Sequence, residues 1–144
     1  MVRIILGVVA GFIAWSILWV GGEEVLRMLS PGWYGAHQLE AEKAMFNRSE
    51  FTSDTTILMI SLIRSIITSI VSGYLAAVIA GENNRTALIL GALLLAFGLM
   101  VQMMAWNYMP VWYHIVFLIL LIPMTLLGAK LKTFPAAAPP PAEA

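Results

Sequence analysis

The segment Ile57–Ala80 reads ILMISLIRSIITSIVSGYLAAVIA, and it is the clearest indication of the fold class. Its single charge, Arg64, interrupts an apolar run that exceeds the roughly 20 residues a helix needs to cross a bilayer. Three other runs have the same character: Ile4–Gly22, Ala87–Trp106 and Val111–Ala129. The sequence therefore predicts an all-α integral membrane protein, a four-helix transmembrane bundle with up-down-up-down topology.

Composition supports this class and excludes others. The chain has 144 residues, of which 60% are hydrophobic and 11% charged, whereas soluble domains are roughly 45–50% apolar and about 25% charged. A net charge of zero and the lack of a reader motif argue against a nucleic-acid partner. There is no cysteine, no Gly-x-Ser-x-Gly elbow and no His-Glu-x-x-His pair. The sequence therefore predicts a protein without enzymatic activity, metal or cofactor, whose main partner is the lipid bilayer.

The polar segments organise the chain around these runs. Residues 1–134 form the predicted transmembrane domain, with one outer loop at about 23–53, in which a short surface helix is expected over Ala36–Phe46. The Pro- and Ala-rich stretch 135–144 is predicted to be a disordered cytoplasmic tail. The second and third spans, and the third and fourth, are joined by short turns, which favours antiparallel neighbours.

Basic residues indicate the orientation. One side of the predicted membrane carries Arg3, Arg85, Lys130 and Lys132, and the other carries Arg27, Lys43 and Arg48. Because cytoplasmic loops are enriched in Lys and Arg, the first set is expected to face the cytoplasm, together with both termini.

Small residues predict where helices approach closely. Gly7 and Gly11 form a GxxxG motif in the first run, and Ser69, Gly73, Ala77 and Gly81 repeat every fourth residue in the second. Small side chains let backbones meet, which drives helix association in lipid. The motif at Gly7 and Gly11 fits packing inside one bundle, or contact with a second copy of the chain.

Arg64 is the residue most out of place. A charge this far inside a span costs on the order of 3 kcal/mol, so it should face the bundle and meet an acid or several polar groups. Ser61, Ser65, Thr68 and Ser72 follow the same helix and indicate that this side faces protein. Four residues of other runs are expected at matching depth: Glu23, Glu24, Gln102 and His114. With Arg64 they form a candidate intramembrane polar cluster, which is either a site for protons, ions or small ligands or a device that fixes helix register.

Three motifs carry a family resemblance. The stretches GYLAAVIAG at Gly73–Gly81, PVWYH at Pro110–His114 and PMTLLG at Pro123–Gly128 resemble those of uncharacterised small four-helix inner-membrane proteins found in many bacteria. The resemblance implies the same topology and a location in a bacterial inner membrane. It implies no particular activity.

Three functions remain open on the sequence. The first is an accessory or assembly component of a membrane complex, motivated by small size, short loops and packing motifs. The second is a small oligomeric transporter or channel that works through the cluster around Arg64. The third is a haem or redox protein that uses His114, a residue type able to ligate iron.

Overall fold

The computed structural model describes residues 1–135. Within them five α-helices follow one another: α1 (Val2–Leu29), α2 (Ala36–Asn47), α3 (Thr55–Ala80), α4 (Arg85–Met104) and α5 (Val111–Lys130). All except α2 are long and apolar enough to cross a membrane. The predicted all-α four-helix architecture is therefore confirmed. The predicted disordered tail lies, apart from Pro135, outside the described residues.

The segment between α1 and α3 is mostly helical. Helix α1 continues to Leu29, past the predicted end of its span at Gly22. A π-helical turn, Pro31–Gly35, then leads into α2, which spans the short helix predicted there. Helix α2 is followed by Arg48, a non-glycine residue that adopts the left-handed region at φ 53°.

Local signals define the ends of α3 and the start of α5. The Asp54 carboxylate accepts hydrogen bonds from the N–H groups of Thr56 and Ile57, at 2.7 and 3.3 Å, which satisfies donors that a helix start leaves open. At the other end Gly81 adopts φ 74°, a conformation that glycine takes without strain. Pro110 precedes the first turn of α5, where no backbone donor is needed.

Glu82 caps the start of α4. Its carboxylate accepts hydrogen bonds from the backbone N–H groups of Asn84, Arg85 and Thr86, and from the Thr86 hydroxyl. Partial burial alone would raise the pKa of Glu82, but the Thr86 side chain and these backbone donors outweigh it and lower the pKa to about 2. Glu82 therefore stays ionised at any ordinary pH.

The four long helices surround one core in the order α1, α3, α5, α4. Helix α3 packs chiefly on α1 and α5, and α4 packs chiefly on α5. Helices that follow each other along the chain were predicted to pack side by side, and α4 and α5 do so. Helices α3 and α4 pack together far less, and they meet near their connection, where Ala77 and Ala87 share an apolar cluster. A short turn fixes which helix ends are adjacent, but the larger packing faces go to other helices.

Helices α3 and α5 touch backbone to backbone. A Cβ atom on Gly73 would overlap the carbonyl oxygen of Thr125, and one on Gly128 would overlap the carbonyl oxygen of Ile70. At each glycine the backbone of the other helix therefore comes closer than any larger residue would allow. Such close approach maximises van der Waals contact in lipid, where hydrophobicity does not favour helix association.

The GxxxG motif of α1 packs within the same chain. A Cβ on Gly7 would lie 2.6 Å from the Ala76 carbonyl oxygen, and one on Gly11 would lie 2.5 Å from a methyl group of Leu90. Both glycines are buried. Of the two uses that the motif suggested, the structure shows the intramolecular one, with α3 and α4 covering this face of α1.

Candidate functional site

Arg64 makes the predicted contact with an acid. It lies nine residues into α3, about 14 Å along the axis. Its Nη1 donates to the Glu23 carboxylate at 2.5 Å and to the Tyr34 hydroxyl oxygen at 3.1 Å. The guanidinium carbon also lies 4.1 Å from the centre of the Trp19 ring, within the range of a cation–π contact. We refer to Arg64, Glu23, Tyr34 and Arg27 as the Arg64 cluster.

Glu23 is the centre of this cluster because three donors meet on its carboxylate. Besides Arg64, the Tyr34 hydroxyl donates to it at 2.8 Å and Arg27 Nε donates to it at 3.2 Å. Arg27, one turn further along α1, also pairs with Glu42 of α2. The charges of two arginines and two glutamates therefore cancel within the protein.

Tyr34 reaches the cluster through the π-helical turn. The turn brings the tyrosine back over the end of α1, where its side chain is almost fully buried. Burial raises the pKa of Tyr34 and the hydrogen bond to Glu23 raises it further, so the hydroxyl remains a donor. The Arg64 cluster thereby connects the extramembrane segment to α1 and α3.

The side of α3 next to Arg64 faces protein, as the hydroxyl stripe predicted. Ser61, Ser65, Thr68 and Ser72 are all buried. Thr68 and Ser72 donate to carbonyl oxygens of their own helix, which satisfies them without a partner helix. Ser69, outside the predicted stripe, accepts a hydrogen bond from the Trp15 indole at 3.2 Å. Most of these hydroxyls thus serve local or helix–helix bonding.

Two buried polar atoms of α3 stand without a hydrogen-bond partner. They are Arg64 Nε and Ser65 Oγ. The Arg64 side chain also borders a groove of about 380 Å³ between α1 and α3, whose other lining is mainly aliphatic. A buried polar group without a partner is unfavourable. These two atoms could therefore still form a hydrogen bond with another molecule at this part of the bundle.

Gln102 and His114 form a second, separate polar contact between α4 and α5. His114 Nδ1 and the Gln102 amide oxygen are 2.5 Å apart, and Nε2 lies 3.2 Å from the carbonyl oxygen of Met109. Trp106 stacks on the imidazole with ring centres 4.6 Å apart. His114 is fully buried. It closes the connection between α4 and α5, because its ring joins the end of one helix, the turn and the start of the other.

The structure therefore divides the predicted cluster into two pairs. Glu23 meets Arg64, and Gln102 meets His114, but no hydrogen bond or ion pair among residues 1–135 joins one pair to the other. Glu24 belongs to neither pair and is exposed on α1. The division follows from position around the bundle, because the first pair spans α1 and α3 whereas the second spans α4 and α5.

Three residues within or in contact with the Arg64 cluster have no sequence signal of their own. Tyr34 depends on the path of the π-helical turn, and Glu42 depends on where α2 lies. Trp19 reads as an ordinary aromatic residue near the membrane interface. The pairing of Arg27 with Glu23 differs, because residues four apart along a helix lie on the same face and their spacing alone indicates it.

In the part of the chain that the structure describes, no three His, Asp or Glu side chains gather into a metal-binding group. No family model, no curated protein and no solved structure matches the chain. The resemblance drawn from the three sequence motifs therefore adds nothing to the functional argument, which rests on the geometry of the two polar contacts.

Proposed function

We propose that this chain is a non-catalytic component of a larger membrane complex, in an accessory or assembly role. The observation that carries the proposal is the internal matching of the polar groups. Glu23 and Tyr34 meet Arg64, and Gln102 meets His114, so the charged and polar side chains of the bundle serve mainly to hold its helices together. Interaction with other molecules is then left chiefly to the outer faces of the helices.

Helix α1 is the face we assign to a partner subunit. It is the least buried of the four spans. Ile13 and Ile17 lie one turn apart, and both are more than half exposed. A helix of another membrane protein would pack on such a face through van der Waals contact.

Site-specific photo-crosslinking in cells tests this assignment. A photoreactive residue at Ile13 should give one discrete adduct with another membrane protein, whereas the same residue at Ile119, an exposed position on α5, should give lipid adducts. Lipid adducts at both positions would contradict the proposal. A self-adduct at Ile13, with a symmetric oligomer in native mass spectrometry, would favour the second candidate.

The second candidate is a small oligomeric transporter or channel that uses the Arg64 cluster. Arg64 Nε and Ser65 Oγ, both buried without partners beside a groove, favour it. Proton flux into proteoliposomes, followed with an entrapped pH dye, provides a test. Arg64→Leu should abolish the flux of a transporter, and Glu24→Gln, at an exposed neighbour of Glu23, should preserve it. An impermeable wild type would remove proton transport from consideration.

The haem hypothesis finds less support at His114. Both ring nitrogens lie against protein oxygen atoms, so ligation of iron would first have to break one of these contacts. A Soret band in gently purified protein that disappears in His114→Phe would restore the hypothesis.

For localisation we propose a bacterial inner membrane, with both termini in the cytoplasm. The bundle end where α1 begins and α5 ends carries Arg3, Arg85, Lys130 and Lys132, and the positive-inside rule supports this orientation. Reporter fusions at Met1, Lys43 and Asn83 should give cytoplasmic, external and cytoplasmic signals. A cytoplasmic signal at Lys43 would reverse the proposed orientation.

A further inference from the structure

A small basic pocket lies between α4 and α5 at the end of the bundle where α1 begins and α5 ends. Its volume is about 380 Å³, and it is lined by Asn84, Arg85, Leu88, Leu126 and Lys130. Helix α4 begins where the antiparallel α5 ends, so Arg85 and Lys130 stand at the same level. Leu88 and Leu126 lie three and four residues further inward, about 4.5–6 Å deeper along the helices. The pocket therefore has a cationic rim and an apolar floor.

The two cations of this pocket are not neutralised by the residues that the structure describes. Neither Arg85 nor Lys130 takes part in an ion pair within residues 1–135. Glu82, the acid nearest to Arg85 in sequence, has its carboxylate occupied by the N–H groups that begin α4. Lys132 follows close by on the chain, so this end of the bundle is positively charged.

Two other cavities among the described residues differ from this pocket in charge. The groove between α1 and α3 contains Arg64, whose charge is already balanced by Glu23. The larger cavity, of about 1130 Å³, lies between the segment after α2 and the α4–α5 connection, and both Arg48 and Glu50 line it. Of these three cavities within residues 1–135, the α4–α5 pocket is the one that combines two cations, no lining acid and an apolar floor.

We propose that the α4–α5 pocket binds the headgroup of an anionic phospholipid. Arg85 and Lys130 contact the phosphate, and Asn84 supplies a further polar group beside it. The first part of an acyl chain lies on Leu88 and Leu126. Arginine and lysine are the side chains that bind phosphate groups, and basic pockets between transmembrane helices suit anionic lipid headgroups. The membrane boundary, where phosphate meets hydrocarbon, is where a cationic rim and an apolar floor are both satisfied.

The test measures retention of phosphatidylglycerol by the full chain in mixed nanodiscs of phosphatidylglycerol and phosphatidylcholine, using native mass spectrometry. The double variant Arg85→Gln, Lys130→Gln should retain phosphatidylglycerol more weakly, by about fivefold for each cation removed. The matched control is Lys43→Gln, Arg48→Gln, which removes the same charge at the opposite end and should retain the lipid as wild type does. Thermal stability in pure phosphatidylcholine verifies that both double variants fold.

Three outcomes would overturn the proposal. Equal retention by wild type and the Arg85, Lys130 variant would show that the pocket does not select the lipid. An equal loss in both double variants would indicate general surface charge instead of a site. Soluble glycerol phosphate that displaces the lipid and protects the wild type as strongly would identify a free phosphate ester as the ligand. The conservative pair Arg85→Lys, Lys130→Arg should keep most of the retention, because the positive charge is preserved.

Discussion

Helix α3 is attached to its neighbours by different means at two places along its length. Near Arg64 it is joined to α1 by an ion pair, beside a groove that borders the arginine. Near Gly73 it meets α5 backbone to backbone, with no room for another atom. Since lipid gives helices no hydrophobic reason to associate, each contact needs a specific source of stability. Charge stabilises the contact near Arg64, and close packing stabilises the contact near Gly73. Substitutions should therefore affect the two contacts differently.

The largest effect is expected from removing one partner of the charged contact. Arg64→Ala leaves Glu23 without its main counter-charge and should destabilise the fold by about 3 kcal/mol, measured by unfolding in mixed micelles. Arg64→Leu should be milder, because a well-packed hydrophobe often replaces a buried ion at little loss. Glu24→Ala, one residue from Glu23 on an exposed position, is the control and should be neutral. An Arg64→Ala protein as stable as wild type would mean that the ion pair contributes nothing.

The close contact between α3 and α5 should be weakened by any added side-chain atom, because that atom would overlap the backbone of the other helix. Gly128→Ala and Gly73→Ala each force the α3 and α5 backbones apart and should cost about 1–3 kcal/mol in the same unfolding assay. Gly21→Ala provides the matched control, because its new Cβ meets nothing within 4 Å. It should be neutral or slightly stabilising, since alanine favours helix more than glycine does. Similar results for Gly21 and Gly128 would argue that the close α3–α5 contact does not matter.

The contact between Gln102 and His114 is a third kind of helix–helix contact, because it is polar but contains no acid. A double-mutant cycle of Gln102→Leu and His114→Phe should give a coupling of about 1 kcal/mol, typical of hydrogen bonds between membrane helices. The phenyl ring keeps a flat surface for Trp106 to stack on. A coupling as large as that between Glu23 and Arg64 would mean that charge is not what distinguishes the Arg64 cluster.

The smallest effect is expected at the cap of α4. Glu82→Gln should reduce stability by about 1 kcal/mol at neutral pH, an amount typical of helix caps and kept small by solvent exposure. The pKa of Glu82 falls from 4.5 to about 2 on folding, so its contribution is complete above pH 4.5. The stability difference between wild type and variant should shrink as the pH falls from 4.5 to about 2. A difference that stays constant down to pH 2 would contradict the assigned cap.

The sequence predicted those parts of the fold that depend on local signals. Both ends of α3 and the start of α5 follow from Asp54, Gly81 and Pro110, each of which acts only on residues close to it in the chain. The lateral order of the helices was not predictable in the same way. A short turn between α3 and α4 gave the expectation that they would be close neighbours, but only the shapes of the helix faces decide which of them pack most extensively.

The candidate site shows the same division. The burial depth of Arg64 and the cost of an isolated charge were enough to predict a contact with Glu23 or Glu24. Depth gives no information on position around the bundle. The prediction therefore places Gln102 and His114 with Arg64, whereas in the structure these two residues contact each other between α4 and α5. Tyr34 could not be found at all, because its place depends on a π-helical turn with no distinctive sequence.

The ion pair between α1 and α3 also bears on how the chain enters the membrane. Glu23 and Arg64 are 41 residues apart and belong to consecutive spans. If these two spans leave the insertion machinery as one hairpin, lipid meets a neutral pair instead of two separate charges. The second hairpin is different, because no Asp, Glu, Lys or Arg lies between Arg85 and Lys130. We therefore expect that biosynthesis delays the release of α1 until α3 is made, whereas α4 and α5 are free to partition one after the other.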